Sequence, residues 1–207
     1  MTDIISKILT NVLTALYQPF WFSVLLSIFF MFFWLYSHEE VGDAKPRGYK
    51  QAAKDWITHF KNSSTFRRTF FLVFYTAMIL FRTLLNRNMW MNPLSKVLGG
   101  WWIYETASDG TVTLTTECIE NVILMVPYTV LLMWARAVRK EKRRKKLGGV
   151  LWQSIKITFI FSVCIEFLQL FLRLGTFQLS DIAYNTLGGL LGGLVYWICW
   201  RVKHRGE

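Results

Sequence analysis

Apolar residues gather into five long blocks, at residues 19–36, 69–85, 119–135, 155–172 and 182–200. Each block spans roughly 27 Å as a helix at about 1.5 Å per residue, the thickness of a bilayer core. The pattern predicts an all-α polytopic transmembrane bundle of five spans, because backbone exposed to lipid must satisfy its own hydrogen bonds. The first block is too long for the apolar core of a signal peptide. It lacks a small-residue cleavage site and runs into His38-Glu39-Glu40, so it reads as a retained span.

Shorter patterns flank these blocks. Ile4, Ile5, Ile8, Leu9, Val12, Leu13 and Leu16 recur at helical spacing, with Lys7, Asn11 and Thr14 opposite. That stripe predicts an amphipathic helix at the outer interface or an extension of the first span. Tyr49, Ala52, Ala53, Trp56, Ile57 and Phe60 form a second stripe, with Lys50, Lys54 and Lys61 opposite, and read as an inner interfacial helix. Between residues 86 and 118, Trp90, Trp101, Trp102 and Tyr104 suit the headgroup layer, and β-favouring residues around Asp109-Gly110 predict a small outer hairpin.

Composition agrees. Of 207 residues, 53% are hydrophobic, 17% aromatic and only 18% charged, too apolar for a soluble enzyme with one core. The net charge of +11 would suggest nucleic acid on a soluble protein. Here it follows the loops. Lys and Arg number one before the first span, seven after it, two after the second, eight between Arg136 and Lys146, one before the fifth and three in the tail. This alternation puts the N-terminus outside and the C-terminus in the cytoplasm of a multi-pass membrane protein, with no nucleic-acid partner. Cys118, Cys164 and Cys199 show neither a disulfide framework nor metal-ligand spacing, and no cofactor or metal is expected.

Ionisable residues inside apolar spans cost roughly 2.5–3.5 kcal/mol each, so their positions carry information. Glu166, Gln169 and Arg173 share one face of the fourth span, and Asp181 and Asn185 one face of the fifth. Glu117, Glu120 and Asn121 cluster at the start of the third span, and Arg82 lies near the end of the second. With the orientation above, all fall in the outer half and predict a polar pocket open to the outer leaflet. Arg82 or Arg173 can pair there with Glu117, Glu120, Glu166 or Asp181, and an ion-pair network that merely holds the bundle together is the competing reading. The run Gly188-Gly189-Leu190-Leu191-Gly192-Gly193 is a double small-xxx-small pattern for close helix contact, and Pro127 is expected to kink the third span and free a carbonyl near the pocket floor.

Three stretches, E-N-V-I-L-M-V-P-Y from Glu120, S-V-C-I-E-F-L-Q-L-F-L-R from Ser162 and S-D-I-A-Y-N-T-L-G-G-L-L-G from Ser180, resemble the VanZ-like family of bacterial membrane proteins. Asn92-Pro93 resembles that family's short Asn-Pro element. The likeness runs over about residues 82–200, with the five-residue gap 175–179 as its departure. The resemblance implies an N-terminal unit, 1–68, beside a VanZ-like four-helix domain, 69–207. It also implies action at the outer face, linked with resistance to teicoplanin-type glycopeptides. The expected partner is a lipid or lipoglycopeptide, with Arg82, Arg87, Asn92, Glu117, Glu120, Asn121, Glu166, Gln169, Arg173, Asp181 and Asn185 as candidate ligand-binding residues. The alternative is an intramembrane carboxylate-dependent enzyme acting on a lipid-linked envelope substrate. All three histidines fall on the inner side, which removes Ser–His and Cys–His catalysis from the outer pocket. A transporter fits less well, since the acids lie on one side and no inverted repeat is visible.

Overall fold

The computed structural model describes residues 2–38, 48–87, 89–106, 111–137 and 146–204. The Asp109-Gly110 turn, Lys45, Arg47, Arg205 and most of the basic run between Arg136 and Lys146 lie outside them. The helices are α1 (Thr2–Tyr17), α2 (Phe20–His38), α3 (Tyr49–Asn62), α4 (Ser64–Leu80), α5 (Glu117–Arg136), α6 (Leu147–Leu172) and α7 (Leu179–Lys203). A π-helical turn, Phe81–Leu85, ends α4. Two short antiparallel strands, β1 (Tyr104–Thr106) and β2 (Val112–Leu114), pair Tyr104 with Leu114 and Thr106 with Val112. The predicted hairpin is therefore present. Five segments are long and apolar enough to cross a membrane, with α1 and α2 together forming the first, and the chain is a multi-pass membrane protein.

The centre of the bundle is α5, α6 and α7, and the glycines of α7 explain how closely these pack. A side chain on Gly188 or Gly192 would meet the Val122 or Val126 carbonyl oxygen of α5 at 2.5 and 2.6 Å. One on Gly189 or Gly193 would meet Thr158 or Ser154 of α6. Two adjacent small-residue faces thus seat two neighbours, where lipid tails as apolar as leucine leave packing as the driving force. Ser154, Thr158 and Ser162 repeat every four residues along α6, are fully buried, and face the same seam.

The α2 helix is apolar on all sides, yet it buries only one stripe. Ser23, Ser27, Met31 and Leu35 are at most 2% exposed, whereas Trp21, Leu25, Phe29 and Phe33 are about 70% exposed and form a lipid-facing surface. The stripe packs on α4, with Phe20 against Phe74 and Phe22 against Phe81. Ser63 closes α3 and caps α4 by accepting the Phe66 N–H at 3.2 Å. The predicted interfacial helix α3 does more than anchor. Trp56 and Phe60 stack on each other and pack on Phe66 and Phe70, so its apolar stripe joins the protein.

The segment after α4 is fastened to the α6–α7 connection by backbone. Trp90 N–H donates to the Arg173 carbonyl, Phe177 N–H to Pro93 and Leu179 N–H to Val97, each at 2.9 Å. Gly99 adopts φ 71°, and a side chain there would overlap Ser180 and Gln178. Only glycine combines that backbone with that close approach.

Candidate functional site

The polar residues meet at the end of the bundle where α4 and α6 finish and α5 and α7 begin. Glu120 is one node. It is 5% exposed, forms an ion pair with Arg82 of the π-helical turn, and accepts hydrogen bonds from Thr116 Oγ1 and from Asn11 Nδ2, the latter at 2.9 Å. Asn11 also donates to Thr116 Oγ1 at 2.8 Å. One carboxylate thereby joins α1, α4 and α5, and every oxygen contact that removes it from water is repaid by a donor.

A second group lies among α4, α5, α6 and α7. Glu166, 2% exposed, accepts the Gln178 backbone N–H at 2.8 Å, which fixes the approach to α7. Asp181 accepts from Asn121 Nδ2 at 2.9 Å, and Asn185 donates to Ser162 Oγ at 2.8 Å. Gln169 donates to the Thr83 carbonyl at 2.8 Å, while its own carbonyl oxygen, fully buried, has no hydrogen-bond partner among the described residues. That residue lines a cavity of about 30 Å³ shared with Glu166, Asp181, Asn185, Arg82 and Arg87, room for about one water. Pro127 sits within an unbroken α5; the carbonyl that its missing N–H frees is that of Ile123, whereas the Tyr75 hydroxyl donates to the next one, Leu124, at 3.0 Å.

Two wider spaces adjoin this cavity. A cleft of about 520 Å³ runs beneath α1, lined by Lys7, Asn11, Gln18, Arg82, Arg87 and Glu117 among others. A space of about 160 Å³ lies under the Trp90–Gly100 segment, lined by Trp90, Lys96, Thr176, Gln178 and Asp181 and again by Arg87 and Glu117. The α1 helix turns its polar residues onto the cleft, while Ile5, Leu9, Leu13 and Tyr17 are 53–77% exposed on the other side. An interfacial helix presents its polar face to water; this one presents it to the protein and its apolar face outward. The observed arrangement is that of an extension of the first span, interrupted at Gln18-Pro19.

A model of the VanZ/LLP1 family matches residues 20–200. The chain belongs to the VanZ/LLP1 family. No match is found among curated proteins or solved structures. The VanZ/LLP1 match takes in α2 and α3 as well as the region from Arg82 onward, so the aromatic packing around Phe66 belongs to the family's extent, while α1 precedes the matched residues.

Most of the residues expected at the site in this VanZ/LLP1 chain do come together: Arg82, Arg87, Glu117, Glu120, Asn121, Glu166, Gln169, Asp181 and Asn185 line one or more of the three spaces. Asn92 and Arg173 line none of these three. The exposed Asn92 accepts the Ser95 N–H through its carbonyl in a turn. Arg173 caps α6 in the left-handed conformation, φ 56° and ψ 36°, with an exposed side chain. Of the pairings open to the two arginines, the one formed among the described residues is Arg82–Glu120. Asn11, Thr116 and Gln178 join the site without being among the candidate residues of the sequence, and Ser162, the first residue of the second family-like stretch, joins it through Asn185. Asn11 on the polar side of the α1 stripe was the available signal; Gln178 acts through its backbone N–H, which no side-chain pattern reveals. Among the described residues no three His, Cys, Asp or Glu side chains gather as metal ligands would.

Proposed function

We propose that the protein engages the headgroup of a membrane amphiphile, a lipid-linked cell-wall precursor or an acylated glycopeptide, in the cleft beneath α1, and so modulates resistance to teicoplanin-type lipoglycopeptides. The observation that carries this reading is the orientation of α1. A helix that sets its apolar face outward and its polar face on a cleft of about 520 Å³ makes a polar chamber bordered by lipid-facing surface. A headgroup fits the chamber, and acyl chains fit the apolar surface beside it. The loop charges favour this end as the outer one, where such amphiphiles are found. The exposed Trp90, Trp101 and Trp102 suit contact with headgroup and sugar. In this reading residues 69–207 hold the site, and residues 1–68 form a peripheral layer that contributes its roof.

The test is mass spectrometry of the protein purified in mild detergent, followed by lipid extraction. A defined amphiphile should be retained, enriched over bulk membrane lipid, and lost in Asn11→Leu and Arg87→Ala. Retention of bulk lipid alone, in native proportions, refutes the reading.

The burial of Glu166 and Asp181 against one cavity supports the second reading, an enzyme acting on a lipid-linked substrate. Glu166→Gln and Asp181→Asn separate the two readings. In a binding protein they alter affinity; in an enzyme they abolish turnover while ligand is still retained.

A further inference from the structure

Most charges around the site are committed. Arg82 is held by Glu120, Asp181 by Asn121 and Glu166 by the Gln178 backbone. Two side chains differ. Arg87 and Glu117 make no hydrogen bond or ion pair through their side chains among the described residues. Yet both line the cleft beneath α1 and the adjoining space under the Trp90–Gly100 segment. They stand at the junction of the two spaces, with opposite signs, and are not paired with each other. Arg87 is half-buried, its guanidinium beside Gly175, and it also lines the small cavity that holds Glu166 and Asp181. Glu117 is the first residue of α5, where the helix dipole favours a carboxylate but provides no cation.

The charge inventory matters as much as the two residues. The cleft is lined by Lys7, Arg82 and Arg87 against Glu117 and Glu120, and the adjoining space by Arg87 and Lys96 against Glu117 and Asp181. A receptor for a polyanion would carry a clear excess of cations. Near balance, with one uncommitted charge of each sign, suits a ligand that itself carries both.

Resting on the amphiphile-binding reading, we propose that the recognised group is zwitterionic, a lipid phosphate seated on Arg87 with a primary ammonium on Glu117. Arg87 presents a planar fork of N–H donors to the phosphate oxygens, and Glu117 accepts the ammonium N–H groups. Because neither residue gives up an internal partner, binding breaks no bond within the protein.

The experiment is competitive lipid binding by native mass spectrometry. The purified full chain is presented with bicelles containing phosphatidylethanolamine and phosphatidylglycerol, which share a phosphate and differ in the amine. The wild-type protein should retain phosphatidylethanolamine about tenfold better, the worth of one charge-assisted contact in a partly wet site. Glu117→Gln should equalise the two lipids while phosphate binding persists, and Arg87→Gln should weaken both. Neither side chain makes a hydrogen bond or ion pair among the described residues, so both variants should remain folded, with Glu117→Gln losing at most the small contribution of a helix-dipole contact. Water-soluble glycerophosphoethanolamine should compete only weakly, and equal potency would overturn a membrane lipid as the source. Wild-type protein that holds both lipids equally, or a preference that survives in Glu117→Gln, overturns the zwitterion proposal and leaves the amphiphile reading standing. Retention of neither phospholipid also overturns the zwitterion proposal, and the amphiphile reading then stands or falls on the extraction test above.

Discussion

Removing the Glu120 carboxylate should loosen three helices at once. The side chains of Arg82 and Glu120 are 26% and 6% exposed, so the pair is buried on the acid side and partly wet on the arginine side. Deleting one partner of a fully buried pair costs roughly 3–5 kcal/mol, and solvent access to Arg82 reduces this to about 2–3 kcal/mol for Glu120→Ala. Glu120→Gln keeps an oxygen for Asn11 and Thr116 and loses only the charge, so about 1–2 kcal/mol is expected. A double-mutant cycle with Arg82→Met isolates the pair and should give a coupling of about 1–2 kcal/mol. The assay is reversible unfolding in mixed micelles followed by tryptophan fluorescence. A coupling under about 0.3 kcal/mol would mean the two groups do not act on each other, and the node described at this end of the bundle would be wrong.

Other outcomes follow from the same contacts. Gly192→Ala drives a methyl against the Val126 carbonyl oxygen and should cost about 1–3 kcal/mol in the same unfolding assay, whereas Gly148→Ala, with open space around it, should cost nothing. Asn11→Leu cuts the bonds from α1 to Thr116 and Glu120, so hydrogen exchange should accelerate in residues 5–17 and stay slow in α5 and α7. In a background without the three native cysteines, Ser95→Cys should react with a membrane-impermeant maleimide added outside intact cells, and Lys203→Cys only after permeabilisation. The opposite labelling pattern would invert the orientation read from loop charge.

The spans were legible because lipid imposes a single rule, a long apolar helix, that hydropathy registers directly. Boundaries were less so. The fourth span begins at Leu147 rather than near residue 155, because Gly148-Gly149 and Gln153-Ser154 interrupt the apolar run without interrupting the helix; Lys156, exposed within the span, can carry its charge along an apolar surface on its long stem. The glycine pairs of α7 announced close packing, and their offset by one residue accounts for two partners rather than one. The convergence of Glu120, Asp181 and Glu166 at one end could be read from span polarity combined with loop charge. The role of α1 could not. Its stripe shows that two faces differ, and only packing against α5 decides which one meets the protein. Nor could Glu166's partner be read, since a backbone N–H in the α6–α7 connection leaves no trace in residue type.

Neighbouring residues of α1 offer the most direct test of the chamber. Thr14 lines the cleft and Leu13 is 63% exposed on the opposite side. A photoreactive benzoylphenylalanine placed at each position, irradiated in living cells and analysed by mass spectrometry, reads what occupies each surface. The account predicts one defined amphiphile adduct at Thr14 and a mixture resembling bulk membrane lipid at Leu13. The same bulk mixture at both positions would contradict a selective chamber beneath α1.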